Sequence, residues 1–180
     1  AEGCYVETAS RDVTVYDMPV SPTISASGAT SFCSSDSVIL SVTNNPEYTY
    51  FWELNGGSVG SDTNIHIART SGTYSLHVTN SSGCSSPAAN EVLVTVNPLP
   101  VLPTVSTNGP VEFCEGSSVE LSVNNNAEYM YQWKVGSSNI SGATSHVYTA
   151  TSSGSYTLVV STAEGCYVET ASRDVTVYDM

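Results

Sequence analysis

Short segments in which apolar and polar residues alternate follow one another along the whole chain. Alternation with a period of two predicts β-strands that have one buried face. In the first half of the chain these segments are 38–42, 50–54, 65–67, 74–78 and 92–96. In the third segment we expect Ile65 and Ile67 to point inward, and we expect His66, like His146 in the second half, to face solvent. Gly, Asn and Pro residues separate the segments and no helical period is sustained, so the sequence predicts an all-β protein.

The sequence is internally repeated. Residues 1–18 recur without a change as residues 163–180, an offset of 162. A looser copy at half this offset relates the Phe-Cys pair at 32–33 to the one at 113–114. Repetition at a fixed period is typical of arrays built from one domain. We therefore predict one domain at 19–97, a second at 98–180 and, at 1–18, the C-terminal strand segment of a preceding repeat.

Two spacings predict the type of β-domain. Trp52 lies twelve residues after Leu40, close to the distance between the strand B core position and the strand C tryptophan of immunoglobulin domains. Tyr74 precedes Leu76 by two residues, as a tyrosine corner precedes the core position of strand F. Both copies are therefore predicted to be immunoglobulin-like β-sandwiches. The expected core residues are Leu40, Trp52, Tyr74 and Leu76 in the first copy and Leu121, Trp133, Tyr156 and Leu158 in the second.

Proline-rich segments precede both predicted domains, at 19–22 and at 98–103. Proline fixes φ and stiffens such joints. We therefore expect the tandem sandwiches to form a rod in which each domain has neighbouring repeats of the same chain as its partners.

Composition and charge exclude several classes of function. The chain has 17 acidic residues against 4 basic ones, a formal net charge of −13. Such a surface cannot neutralise a run of phosphates, so we expect neither nucleic-acid binding nor docking to anionic lipid. No apolar run reaches the roughly 18 residues that a membrane span needs, so membrane insertion is not expected either.

Residues that suggest catalysis or metal binding are sparse. Residues 56–60 match Gly-x-Ser-x-Gly, but that motif needs a strand-turn-helix setting and a partner histidine, and the second copy has no equivalent. His66 and His146 have no second histidine or cysteine at a spacing that suits a metal. We predict no catalytic residue, no metal site and no cofactor, and hence no enzyme.

Aromatic residues give the one hint of a binding face. Phe51 should point outward from its strand, although Gln132 replaces it in the second copy. Tyr48, Tyr129 and Tyr148 are the other candidates for a surface contact. Exposed rings of this kind stack on sugars or on another protein, so polysaccharide or an abiotic surface is a possible partner.

The order of the motifs resembles a known family of repeats. It runs F-C-x-x-x-S-V-x-L, then Y-x-W, then S-G-[ST]-Y-[ST]-L and G-C, and it ends in a V-x-V strand followed by proline. This order is similar to that of the immunoglobulin-like repeats of giant surface adhesins that bacteria export by type IX secretion, including the mobile filament adhesin of gliding cells. The resemblance covers both copies and implies an exported, non-enzymatic protein at the bacterial cell surface.

Two hypotheses of function follow from the repeats and the resemblance. In the first, the chain is a structural segment of a long adhesin filament, where it supplies length and carries load during surface attachment or gliding. In the alternative, each repeat is itself a weak carbohydrate- or surface-binding module, and the number of copies supplies the strength through avidity.

The five cysteines of an exported chain suggest disulfides, and their pairing has two readings. The simpler one closes each domain on itself, with Cys33 bonded to Cys84 and Cys114 bonded to Cys166. However, Cys33 precedes strand B and Cys84 follows strand F, which places them at opposite ends of a sandwich, roughly 25–30 Å apart. In head-to-tail domains these ends face each other across a joint. We therefore favour a bond between Cys33 and Cys166, with Cys4 and Cys114 pairing outside this chain.

Overall fold

A computed structural model describes residues 3–4, 6–60 and 62–179 of the chain. Its regular structure consists of β-strands, and the described residues contain no helix. The strands of the first copy are β1 (Ser25–Ala26), β2 (Ser31–Cys33), β3 (Val38–Ser41), β4 (Tyr48–Leu54), β5 (Gly57–Ser58), β6 (Ile65–Ala68), β7 (Gly72–Asn80), β8 (Ser85–Pro87) and β9 (Val92–Asn97). The strands of the second copy are β10 (Ser106–Thr107), β11 (Glu112–Cys114), β12 (Val119–Ser122), β13 (Met130–Val135), β14 (Ser138–Asn139), β15 (Val147–Ala150), β16 (Gly154–Ser161), β17 (Tyr167–Glu169) and β18 (Arg173–Tyr178).

Each copy contains two sheets, and the two copies have the same topology. In the first copy one sheet has the order β1-β3-β6 and the other has the order β2-β9-β7-β4-β5, with β8 beside β7. The second copy repeats this as β10-β12-β15 and β11-β18-β16-β13-β14, with β17 beside β16. The prediction of tandem immunoglobulin-like β-sandwiches is confirmed.

By proximity the chain divides into two compact units. One comprises Ala1–Thr30 and Val38–Val94, and the other comprises Ser31–Ser37 and Thr95–Met180. The segment Ser31–Ser37 belongs with the second unit because β2 pairs in parallel with the last residues of β9, Ser31 with Thr95 and Cys33 with Asn97. The boundaries predicted at 19–97 and 98–180 follow the periodicity of the sequence, whereas this division follows spatial contact.

The core of each sandwich is built from the residues that the alternation places on the inward faces. Leu40, Trp52 and Leu76 are completely buried, as are Leu121, Trp133 and Leu158. Each indole is also satisfied, because Trp52 Nε1 donates to the carbonyl oxygen of Thr63 and Trp133 Nε1 donates to that of Ser145, both at 2.9 Å. Burial of a tryptophan without such a partner would leave a costly unpaired N–H.

A tyrosine corner stands at the start of the strand that follows each Ser-Gly turn. Tyr74 is 2% exposed and its hydroxyl donates to the carbonyl oxygen of Thr70 at 3.1 Å. Tyr156 is 3% exposed and donates to Ser152 in the same way at 2.8 Å. The hydroxyl therefore fixes the preceding loop to the strand while the ring joins the core.

The predicted orientation of β6 is wrong. Ile65 and Ile67 are 48% and 49% exposed, whereas His66 packs against the rings of Trp52 and Tyr74, with ring centroids 5.7 and 5.3 Å apart. The cause is the strand register, which pairs His66 with the buried Leu40. Residues that are directly opposite in an antiparallel pair lie on the same face of the sheet.

The same register shows which residue replaces His66 in the second copy. Leu121 pairs with Tyr148, so Tyr148 and not His146 is the structural counterpart of His66. His146 is itself partly buried, with its ring centroid 6.4 Å from that of Tyr131. The expectation that this histidine faces solvent is therefore also wrong.

The 18-residue sequence that occurs twice has two different conformations. Positions 1, 2, 5 and 180 lie outside the described residues, and residues 6–18 contain no strand, whereas the second copy of the sequence contains β17 and β18. Val13 is 85% exposed, but its counterpart Val175 is 3% exposed because β18 pairs with both β11 and β16. A strand of this sequence is therefore buried only where the rest of its sandwich is present.

Candidate functional site

Cys33 and Cys166 form a disulfide in the second compact unit. The S–S distance is 2.04 Å and the Cα–Cα distance is 5.6 Å, and the bond joins positions that are 133 residues apart. Parallel pairing of β2 places Cys33 opposite Asn97, and the next residue, Ser34, donates its N–H to the Asn97 carbonyl oxygen at 2.9 Å. Cys166 is completely buried in the β16–β17 turn, and its Sγ lies 3.9 Å from the same oxygen. The Asn97 carbonyl thus marks the point where the two cysteines meet.

The alternative pairing within each domain does not occur in the structure. Cys33 bonds to Cys166, while Cys84 and Cys114 have free thiols. The reason is the parallel β2–β9 pairing, which holds Cys33 at the end of β9. In terms of the sequence repeat, the bond links residues 19–97 to residues 98–180.

Cys84 is a third unpaired cysteine that sequence reasoning missed, in addition to Cys4 and Cys114. Its Sγ lies 4.0 Å from the carbonyl oxygen of Tyr16, and the side chain of Asn80 donates to the carbonyl oxygen of Asp17 at 2.8 Å. The signal was available in the repeat itself. Once Cys33 bonds to the Gly-Cys cysteine of the following copy, the Gly-Cys cysteine of the first copy lacks a partner in this chain.

Two of the four aromatic residues proposed as surface contacts hold the proline-rich joints instead. The hydroxyl oxygen of Tyr48 accepts a hydrogen bond from the N–H of Val20 at 3.3 Å. The hydroxyl oxygen of Tyr129 accepts one from Val101 at 3.2 Å. Both contacts fix the chain where it enters a sandwich, so these two rings have a structural role in each copy.

Tyr148 is a third candidate that has an internal role. Its ring lies between those of Trp133 and Tyr156, with centroid distances of 6.0 and 5.7 Å. The cause is again the strand register, which turns Tyr148 toward the core beside Leu121. The proposed contact through this ring is therefore replaced by packing.

Phe51 alone among the four points into solvent, with 53% of its surface exposed. It lines a shallow depression together with Glu53, His77 and Thr79, and His77 Nε2 lies 3.3 Å from a carboxylate oxygen of Glu53. In the second copy the equivalent Gln132 donates to the carbonyl oxygens of Trp133 and Ile140, both at 2.9 Å. The exposed aromatic ring at this position is thus a feature of the first copy and is not shared by the second.

The second copy has an open groove of about 930 Å³ at the side of its joint. Its walls are the segment 101–104, the asparagines 124–126, and the rings of Tyr129 and Tyr131. The Tyr131 hydroxyl is already engaged, since it accepts from the N–H of Asn126 at 2.7 Å. Amide groups beside aromatic rings are a surface of mixed character that suits a neutral polar ligand.

Charged groups in the described residues form isolated contacts and no cluster. The Lys134 ammonium lies 2.8 Å from Glu169, and hydrogen bonds from Lys134 and from Thr157 hold the pKa of that carboxyl below its usual range. Burial lowers the pKa of His66, because the ring packed against Trp52 and Tyr74 is less well solvated in its charged form. Across the described ranges no group of three or more His, Cys, Asp or Glu side chains could hold a metal ion. No helix that could cross a membrane occurs in the same residues.

A comparison with protein families gives a match to the first copy. Residues 19–98 match the family described as "Ig-like domain CHU_C associated". The match supports an immunoglobulin-like repeat in this part of the chain. No curated protein matches the chain.

Solved structures similar to this chain are tandem immunoglobulin domains. The N-terminal eight Ig domains of Down Syndrome Cell Adhesion Molecule match with a TM-score of 0.59 and 15% identity, over 89% of this chain and 24% of that one. Extracellular domains 3–5 of Drosophila OTK match over 88% of this chain and 60% of that one, with a TM-score of 0.46 and 18% identity. Murine CEACAM1b matches over 87% of this chain and all of that one, with a TM-score of 0.43 and 16% identity. At these identities the similarity shows the fold alone, which is that of tandem immunoglobulin-like domains.

Proposed function

We propose that the chain is a structural segment of a long bacterial surface adhesin, in which successive immunoglobulin-like sandwiches supply length and carry load. The observation that carries this proposal is the exact repetition of residues 1–18 as residues 163–180. The repeated sequence forms two strands of a sandwich in one place, with Val175 buried, and in the other place residues 6–18 are exposed and contain no strand. Such a segment requires the remainder of a further sandwich, as in an array of repeats.

The proposed role in bacterial surface attachment or gliding rests on the resemblance of the repeat motifs to those of type IX-secreted adhesins. The family match of residues 19–98 supports an immunoglobulin-like repeat, and the disulfide supports an exported protein, because such bonds persist in oxidising surroundings. The net charge of −13 keeps neighbouring filaments soluble and mutually repelling.

The experiment that tests the structural role measures the length of concatenated chains. We define a block as residues 19–180, and each added block follows the natural junction because residues 163–180 equal residues 1–18. A strand rises about 3.3 Å per residue, so each sandwich should add about 30–40 Å and each block about 60–80 Å. Small-angle scattering of chains with one, two and four blocks should give a maximum dimension that rises linearly by this amount. Chains that collapse into compact particles would contradict the proposal.

The second candidate is that the repeats bind surfaces weakly by themselves. The exposed Phe51 and the groove beside Tyr129 favour it, because aromatic rings next to amide groups can stack on and hydrogen-bond to sugars. The test is retention of the four-block chain on glass and on immobilised polysaccharide. Phe51→Gln is the matched variant, because the second copy has Gln132 at this position. Retention that falls with this variant, or with Asn125→Ala in the groove, would favour the binding role, and absence of retention would assign adhesion to other parts of the protein.

A further inference from the structure

We propose that Cys84 and Cys114 each form a disulfide with a cysteine of a neighbouring repeat. Each is one half of a bonding site, called a half-site, and the overlapping series of such bonds along the chain is called the disulfide ladder. In this ladder the Phe-Cys cysteine of every repeat bonds to the Gly-Cys cysteine of the following repeat. The inference rests on the proposed function, since it requires a tandem array, and it deepens that function by assigning the covalent partner of each unpaired cysteine. The partner is a further copy of the same repeat.

The bonded pair defines the complete site. Cys33 lies on β2, which pairs in parallel with the end of β9, and Cys166 lies in the turn after β16. Both meet at the carbonyl oxygen of Asn97, which receives the N–H of Ser34 at 2.9 Å and lies 3.9 Å from the sulfur of Cys166. Tyr16, Asn97 and Tyr178 are equivalent positions, each separated from the next by 81 residues. Two further sites of this kind are therefore expected, at Tyr16 and at Tyr178.

The site at Tyr16 contains the Gly-Cys half. The sulfur of Cys84 lies 4.0 Å from the Tyr16 carbonyl oxygen, against 3.9 Å for Cys166 and Asn97. The turn that carries it is also the same, because Gly83 N–H donates to Asn80 at 3.0 Å as Gly165 N–H donates to Thr162 at 3.0 Å. Cys84 is thus held where a bonded cysteine is held, and the cysteine that is missing belongs to the repeat that residues 1–18 complete.

The site at Tyr178 contains the Phe-Cys half. Cys114 pairs with Tyr178 in the parallel β11–β18 ladder, as Cys33 pairs with Asn97. The N–H of Glu115 donates to the Tyr178 carbonyl oxygen at 2.9 Å, the same distance as from Ser34 to Asn97. Cys114 is exposed, so its thiol is open to the Gly-Cys cysteine of a repeat that follows.

The two half-sites together show that the bond is a property of the repeat. A single isolated cysteine would carry no such meaning, but here each half of the bonded site occurs a second time, the Phe-Cys half at Tyr178 and the Gly-Cys half at Tyr16, and the one complete site is bonded. In an array the bonds would overlap along the sequence, because Cys114 lies between Cys33 and Cys166. Each joint would then lie within at least one closed loop, so load could not extend the chain at a joint without breaking a covalent bond.

Bond formation requires an oxidant, and a small-molecule disulfide such as oxidised glutathione supplies it. The Cys114 thiolate attacks this disulfide, forms a mixed disulfide and releases one glutathione thiolate. The Cys84 thiolate of the following repeat then attacks the Cys114 sulfur and releases the second glutathione. Two protein thiols lose two protons and two electrons in total, and one glutathione disulfide becomes two thiols.

The test uses residues 1–180 followed by one further block, residues 19–180, equilibrated with reduced and oxidised glutathione. Unpaired cysteines are those that carry glutathione or react with iodoacetamide, counted by intact mass. The chain alone has three unpaired cysteines, Cys4, Cys84 and Cys114. The ladder keeps the count at three, because the first-block Cys114 pairs with the second-block Cys84. Without the ladder the added Cys84 and Cys114 raise the count to five, and closure of each domain on itself leaves Cys4 alone unpaired.

A variant of the second block tests the bond assigned between Cys114 of the first block and Cys84 of the second. If the ladder exists, Cys84→Ser in that block releases Cys114 of the first block and raises the number of unpaired cysteines from three to four. If the ladder does not exist, the same variant removes one unpaired cysteine and lowers the number from five to four. Proteolysis at glutamate separates Cys84 from Cys114 and identifies the bonded peptides. The extension of the same chain, measured by scattering, distinguishes the two proposals. An extended chain with five unpaired cysteines rejects the ladder alone, whereas a compact chain rejects the structural role.

Discussion

Removing the disulfide should destabilise the second unit far more than removing the equivalent unpaired cysteine. The perturbation is Cys33→Ala, and the matched control is Cys114→Ala, which changes the same position of the repeat without breaking a bond. The buried Cys166 thiol that remains in the first variant packs as a small apolar group. The difference between the two variants therefore reports on the cross-link itself.

The magnitude follows from the loop that the bond closes. For a separation of 133 residues, the loss of loop-closure entropy in the unfolded chain corresponds to about 5 kcal/mol at 25 °C. If the first unit stays folded while the second unfolds, only the segments 34–37 and 95–165 of the closed loop are flexible. The same relation then gives a stabilisation by the disulfide of about 4.5 kcal/mol. Cys114→Ala should change the free energy of unfolding by less than about 0.5 kcal/mol, because its side chain is exposed.

The assay is urea unfolding followed by tryptophan fluorescence. In a Trp52→Phe background shared by all variants, Trp133 reports on the second unit alone. A reducing agent should lower the stability of the parent to that of Cys33→Ala and should leave the Cys33→Ala chain unchanged. A difference between Cys33→Ala and Cys114→Ala below about 1 kcal/mol would refute the reasoning, since it would mean that the bond does not restrict the unfolded chain.

Three further predictions concern single side chains. Tyr156→Phe should lower the stability of the second unit by about 1–1.5 kcal/mol in urea unfolding, because the Ser152 carbonyl loses its partner, whereas Tyr178→Phe, which removes an exposed contact with Glu112, should cost less than about 0.5 kcal/mol. His66→Tyr should make the first unit less sensitive to acid. Because burial lowers the pKa of His66, the unfolded chain gains a proton first as the pH falls below about 6.5, and this protonation favours unfolding. An unchanged pH profile of the melting temperature would contradict this. Lys134→Gln should remove stability that is present at neutral pH and is lost as the pH falls through the lowered pKa of Glu169, so the melting curves of parent and variant should converge in acid.

The fold could be predicted from the sequence because its main signals are local. The alternation of apolar residues requires no tertiary information to predict strands, and the spacing between Leu40 and Trp52 is a property of two neighbouring strands. The resulting core residues are completely or almost completely buried in both copies. The fold of the second copy could be predicted from that of the first, because two sequences with the same pattern of inward positions fold in the same way.

The local pattern could not predict which face of β6 points inward. A period of two defines two faces of a strand but does not say which of them is inward, and Ile65-His66-Ile67 is apolar on the face that proved to be exposed. The sequence offset is 81 at Trp52 and 82 at Tyr74, whereas His146 lies only 80 residues after His66, so the two histidines are not at equivalent positions. Pairing with Leu40 and Leu121 settles both points.

By itself, then, the sequence determined the strands, the type of sandwich, the core and the repetition, since these depend on the order and spacing of residues. Only the tertiary structure decided the direction of His66 and Tyr148, the use of Tyr48 and Tyr129 at the joints, and the choice between the two cysteine pairings. These features depend on which residues meet across strands that are distant in sequence. Hydrogen-bond register sets such meetings, and one residue of slip reverses every side chain on a strand.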